Sequence, residues 1–295
     1  MIGFKNYHPI TNLFYFASVI IFSCVFMHPI SLLVSVFCGF AYLFLLKGKK
    51  TIKAGVLYSI PLILTTAIIN TLFNHEGVTV LAYFPGGNPL TLESVIYGIA
   101  ASIMILGVIC WFSCFNAVMT GDKFIYLFGK FIPSMSLVLS MTLRFVPMFA
   151  GQFKKVSDAQ KSIGQDETSE KFATKIKRLS KVLSITTTWA LENSVETADS
   201  MKSRGYGLPG RTAFSIYKFM LRDVIMCVAI LALDLYIVCG YMSGHMRITY
   251  FPAIKYSKPD FFEVTVFLLY AVVMALPLII EFKENIKWKY IKSGM

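Results

Sequence analysis

The chain has 295 residues, of which 56% are hydrophobic and only 15% charged, whereas charged residues make up about a quarter of a soluble domain. Its formal charge is +12, but the basic residues sit between long apolar runs rather than along a polar face. This excludes a nucleic-acid-binding domain and points to membrane orientation and an acidic protein partner.

The opening MIGFKNYHPI has neither the charged start nor the cleavage site of a signal peptide, so the first apolar run is expected to be retained. Crossing a bilayer takes roughly 17 to 25 apolar residues. Six segments qualify: Asn12–Met27, Pro29–Leu46, Ala54–Phe73, Leu92–Phe115, Asp223–Ser243 and Phe261–Phe282. Met27-His28-Pro29 then forms a tight turn between the first two, since proline favours starting a helix over continuing one. A seventh apolar stretch, Phe124–Phe149, is broken by Gly129, Pro133 and Pro147 and carries Lys130 and Arg144. It is expected to be an amphipathic or re-entrant element near the cytoplasmic face. With that choice only Arg247, Lys255 and Lys258 of the 28 Lys and Arg residues fall in outer loops, and both termini lie inside.

The segment Ala150–Arg222 has 13 basic and 7 acidic residues and two helical stretches separated by Gly164–Glu170. In the second stretch Leu183, Trp189, Leu191, Val195, Ala198 and Met201 recur at mixed three- and four-residue intervals, an amphipathic pattern. Gly205, Gly207, Pro209 and Gly210 then stop the helix. Such helices, with an apolar face and a basic end, suit docking on another protein. The predicted organisation is a membrane region over 1–122, an interfacial and cytoplasmic module over 123–222, and a second membrane region with a basic tail over 223–295, all of it α-helical.

Cys24, Cys38, Cys110, Cys114, Cys227 and Cys239 all lie in apolar segments without ligand spacing, which reads as packing rather than a metal site. Gly205, Gly207 and Gly210 match G-x-G-x-x-G, but they follow a helix and enclose Pro209, so the strand–turn–helix context of a dinucleotide site is missing. The sequence contains no P-loop, so any ATP would be hydrolysed on a separate subunit. The four histidines are scattered over tails and loops, and no catalytic residue, metal ligand or cofactor site is expected. Asp234 lies mid-span, where a carboxylate costs a few kcal/mol. It serves either an ion relay or an interhelical hydrogen bond.

The stretches Met201–Thr212 (MKSRGYGLPGRT), Leu143–Phe149 (LRFVPMF), Asp158–Gly164 (DAQKSIG) and Tyr7–Ile10 (YHPI) resemble the transmembrane T component of energy-coupling factor (ECF) transporters, akin to the membrane subunit of cobalt uptake systems. The resemblance covers nearly the whole chain. It implies a non-catalytic coupling subunit in the cell membrane, with two cytoplasmic ATPases carrying the ATP and a small substrate-binding membrane subunit for a vitamin or metal ion. It further implies that two small–Arg–small motifs end the coupling helices, each Arg entering an ATPase groove. The second motif matches as Ser203-Arg204-Gly205. The first aligns with Ser162-Ile163-Gly164, where Ile163 stands in place of Arg. On residues alone, Arg204 reads first as a basic residue capping a helix C-terminus, and the resemblance reverses that order. The rival function is a self-contained secondary transporter or membrane-bound enzyme, which needs a polar midplane cluster or an interfacial acid or His cluster. The polar density lies instead in the cytoplasmic segment.

Overall fold

The computed structural model describes residues 3–83, 89–163, 172–208, 217–244, 246–254 and 260–293. They form nine α-helices and one small β-hairpin, an all-α polytopic membrane protein. The chain divides into two compact units, Met1–Thr120 with Tyr217–Met295, and Gly121–Ile216.

In the first unit, α1 (Pro9–Val25), α2 (Pro29–Lys47), α3 (Lys49–Phe73) and α4 (Leu92–Val118) follow one another. The antiparallel pair β1 (Val80–Tyr83) and β2 (Pro89–Thr91) sits between α3 and α4, with Tyr83 opposite Pro89. Both α1 and α2 begin with the same device: proline at the first helical position behind a histidine cap. His8 Nδ1 accepts the Ile10 N–H and His28 Nδ1 the Ile30 N–H, each at 3.3 Å. This satisfies an amide that the first helical turn otherwise leaves orphaned.

The second unit contains α5 (Gly121–Phe131), α6 (Pro133–Ser162) and α7 (Phe172–Ser203). The Phe124–Phe149 stretch is thus two helices, separated at Ile132, and α6 runs straight through Pro147. Proline there removes one backbone hydrogen bond without ending the helix. Gly129 allows α5 and α6 to approach, since a Cβ at this position would meet Ser136 Oγ at 2.6 Å.

The chain returns to the first unit as α8 (Leu221–Met242) and α9 (Phe261–Ser293). The core here is aromatic. Tyr15 and Phe16 of α1, Tyr42 of α2, Trp111 of α4 and Tyr270 of α9 are all fully buried. Phe4 inserts from the N-terminal turn, 5.0 Å edge-on to Tyr15. Two polar groups in this core are paired, as burial favours: Tyr15 OH donates to Val273 O at 3.1 Å, and Trp111 Nε1 to Ser35 Oγ at 3.0 Å, whereas the Tyr42 hydroxyl has no hydrogen-bond partner among the described residues. Large apolar side chains such as Phe37, Phe73 and Leu268 point outward, as expected where the solvent is lipid. Among the described residues, α2, α4, α8 and Phe261–Trp288 are long and apolar enough to cross a membrane. The other two apolar segments are shorter, Pro9–Val25 and Ser59–Phe73, so four of the six expected spans meet the length criterion.

Loops gather at two ends of this unit. At one end Tyr250 OH donates to Met27 O at 2.7 Å and Val78 N–H to Pro252 O at 3.2 Å. That joins the α1–α2 turn, the α3–β1 connection and the α8–α9 loop. At the other end the N-terminal turn meets α8 and α9: His8 N–H reaches Asp223 at 3.0 Å, and Gly3 packs on Glu281. Lys47 Nζ at the end of α2 donates to Ser113 Oγ of α4 at 3.0 Å. The chain therefore leaves the unit after α4 and re-enters before α8 at the end that holds the N-terminus.

Candidate functional site

The candidate site comprises the C-terminal ends of α6 and α7. Phe149 of α6 lies edge-on to Trp189 of α7, ring centres 5.9 Å apart. At 1.5 Å per residue, each C-terminal end lies roughly 20 Å of helix beyond that crossing. Ser162-Ile163 and Ser203-Arg204-Gly205 are thus the ends of two separate helices, and Gly164 lies outside the described residues.

The end of α7 is fixed by its backbone. Gly205 adopts φ +77°, its N–H donates to Lys202 O at 2.9 Å, and the Tyr206 N–H donates to Met201 O at 3.0 Å. This pair of bonds is the Schellman arrangement, in which a left-handed residue satisfies the last carbonyls. Arg204 is the last residue before the reversal, and its own N–H still donates to Ser200 O at 3.2 Å. The capping that the sequence could assign to Arg204 is supplied by Gly205 and Tyr206. The Arg204 side chain is exposed, and among the described residues its guanidinium has no hydrogen-bond or ion-pair partner. Ser203 Oγ turns back to Ser200 O at 2.9 Å.

The end of α6 differs. Ile163 is the residue after the last turn, at φ −86° and ψ 15°, and its side chain is 75% exposed. Ser162 Oγ donates to Asp158 O at 3.1 Å. An apolar side chain therefore projects where the other helix end presents a cation.

Both helices also carry exposed apolar residues along their length. The amphipathic face read along α7 separates into two: Trp189 turns toward α6, while Leu183, Leu191 and Val195 face outward. On α6, Met135, Val138 and Val146 are likewise exposed. Exposed apolar side chains on such helices are candidate contact surfaces.

In the first unit, Asp234 accepts a 2.6 Å hydrogen bond from Ser18 Oγ of α1. Of its two readings, the interhelical bond is present. Asp223 was not singled out in the sequence, yet it is buried and holds the YHPI turn. Its Oδ1 accepts the His8 N–H at 3.0 Å and its Oδ2 the Met220 N–H at 3.1 Å, while the Arg222 guanidinium lies 4.1 Å from the centre of the Tyr7 ring. An acid in the first turn of α8 was the available signal, because that position can reach back to its own helix start. Burial raises the Tyr7 hydroxyl above its usual pKa, with the Arg222 cation acting in the opposite direction.

Residues 6–215 match the CbiQ family, described as cobalt transport protein. The chain is 29% identical over 200 residues to energy-coupling factor transporter transmembrane protein EcfT 1 of Listeria monocytogenes, which covers 63% of this chain and 73% of that relative. It is 25% identical over 214 residues to the EcfT protein of Staphylococcus aureus, 68% of this chain and 76% of that one. A shorter match to the Listeria innocua EcfT protein, 30% over 104 residues, spans 39% of that relative's length.

Proposed function

The chain belongs to the CbiQ cobalt transport protein family, and on that premise we propose that it is the transmembrane coupling component of an ECF-type uptake transporter. The second unit rests on two cytoplasmic ATPases, which carry the ATP. The first unit holds a small substrate-binding membrane subunit for a vitamin or metal ion. Arg204 and Ile163 enter grooves on the two ATPases, and closure of the ATPases on ATP moves the two helix ends. The motion reorients the substrate-binding subunit through the apolar surface of the second unit. This chain itself binds neither substrate nor ATP. Both termini and the second unit face the cytoplasm, in line with the three basic residues left for the outer loops.

The observation that carries the reading is the exposed Arg204, without a side-chain partner among the described residues, on a helix end already capped by backbone. A guanidinium so placed can bind a carboxylate through two parallel bonds. The unlike end at Ile163 suits a pair of unlike ATPases. Purification of the tagged protein from its native membrane tests the proposal directly. Two ATPases and one small apolar protein are expected to co-purify. An isolated chain that transports a solute alone would replace the proposal with a secondary transporter.

A further inference from the structure

The helix α9 is 33 residues long, about 50 Å at 1.5 Å per residue, whereas the hydrocarbon core of a bilayer is about 30 Å thick and about 40–45 Å with headgroups. Its outward apolar residues keep one helical face throughout. Leu268, Val272 and Ile279 lead without change of face into Phe282, Ile286 and Tyr290, all exposed. The lipid-facing stripe therefore continues past Glu281, where α9 passes the N-terminal turn. In these last turns the composition changes: Lys283 and Lys287, four residues apart, flank the stripe on one side and are exposed, with Trp288 also exposed. The acid Glu284 lies to the far side of that lysine pair from the stripe.

We propose that the C-terminal turns of α9 bind the phosphate headgroups of anionic phospholipids, with Lys283 and Lys287 as the cationic contacts and Phe282 and Ile286 seated among the acyl chains. The occupant follows from continuity and charge. The same face is already in lipid one turn earlier, and a helix leaving the bilayer carries these residues through the headgroup layer at the depth where lysine ends snorkel and tryptophan is favoured. Lysines beside an anionic leaflet each strengthen the association roughly fivefold. The proposal depends only on the chain spanning a membrane and is independent of its role in transport.

The test uses the full-length protein, purified with whatever subunits accompany it and incubated with equal amounts of phosphatidylglycerol and phosphatidylcholine in detergent micelles. Native mass spectrometry then counts the lipids retained. The natural protein is expected to retain phosphatidylglycerol preferentially. The double variant Lys283→Gln/Lys287→Gln should reduce that preference about twenty-five-fold, and Lys283→Arg/Lys287→Arg should keep it. Should the double glutamine variant fail to fold, Lys287→Gln alone is read for a several-fold fall. An unchanged lipid ratio in the folded glutamine variant overturns the proposal. So does loss of an accompanying protein with lipid retention intact, which would assign the lysines to a protein partner.

Discussion

The carboxylate of Asp223 bridges two backbone amides from opposite parts of the chain, His8 N–H at 3.0 Å and Met220 N–H at 3.1 Å. The residue is 1% exposed, and its bond to the His8 amide is shielded from water, whereas the bond to Met220 is only partly buried. The N-terminal turn and the start of α8 are thereby fixed to each other.

Replacing Asp223 by Ala leaves the His8 amide buried and unsatisfied and removes the cap of the Met220 amide. Charge-assisted bonds of this kind contribute about 1.5–3 kcal/mol each, and an orphaned buried donor costs about 1–3 kcal/mol. The Asp223→Ala protein should melt several degrees lower in detergent. Asp223→Asn, which keeps one acceptor oxygen, should fall between it and the natural protein. A melting curve for Asp223→Ala that superimposes on the natural one would remove the carboxylate from the account of stability.

His28 supplies the pH dependence. Burial lowers its pKa below 6.5, with the Glu263 carboxylate acting in the opposite direction. Its Nδ1 must stay unprotonated to accept the Ile30 N–H. The folded protein thus binds the proton less readily than the unfolded chain. The stabilisation is complete above 6.5 and shrinks as pH falls from there toward the depressed folded value. His28→Asn keeps a capping acceptor but does not titrate, so its melting temperature should change less between pH 7.5 and pH 5.5 than that of the natural protein. Identical slopes for the two proteins would assign the pH dependence to other groups.

Gly205 sets the direction of Arg204. At φ +77° a Cβ would be strained and would meet Leu208 Cδ1 at 3.0 Å. Gly205→Ala should cost about 1 kcal/mol locally and loosen the end of α7. Retention of the ATPases should fall, while the melting temperature of the membrane region stays within a degree or two of the natural value. Full ATPase retention would show that the helix end need not be rigid.

The six apolar segments of the first unit were legible because hydrophobic length is a strong signal, and α2, α4 and α8 begin and end within three residues of the expected positions. The end of α9 was not, since Phe282 through Ser293 mixes lysines with aromatic residues and loses the apolar run that marks a span. Pro147 misled for a related reason: one missing hydrogen bond in a 30-residue helix is tolerated, and sequence alone cannot weigh it against packing. The stop at Gly205 was readable from its glycine, but its backbone bonds, which free Arg204 from a capping role, were not. Asp223 stayed hidden because its partner amide lies 215 residues away, and no local pattern records such a contact.

Arg204 carries the sharpest prediction. It sits on an exposed helix end whose carbonyls are already satisfied by the Gly205 and Tyr206 amides, so its replacement should leave α7 intact. If it pairs with a carboxylate in an ATPase groove, Arg204→Glu removes a charge-assisted bond and sets two like charges together. For a buried interfacial pair that change is about 2–5 kcal/mol, enough to strip an ATPase from the purified complex. Arg204→Lys keeps the charge without the planar fork and should be partly defective. At the other helix end Ile163 offers only apolar contact from a 75% exposed side chain. Ile163→Ala should therefore weaken assembly less, by about 1–2 kcal/mol of lost apolar burial. The measurement is ATPase retained per membrane subunit after purification, with uptake assayed in parallel and circular dichroism confirming helix content. Full retention and normal uptake in Arg204→Glu would place the coupling contact elsewhere on the second unit, with the exposed face of Leu183, Leu191 and Val195 as the next surface to alter.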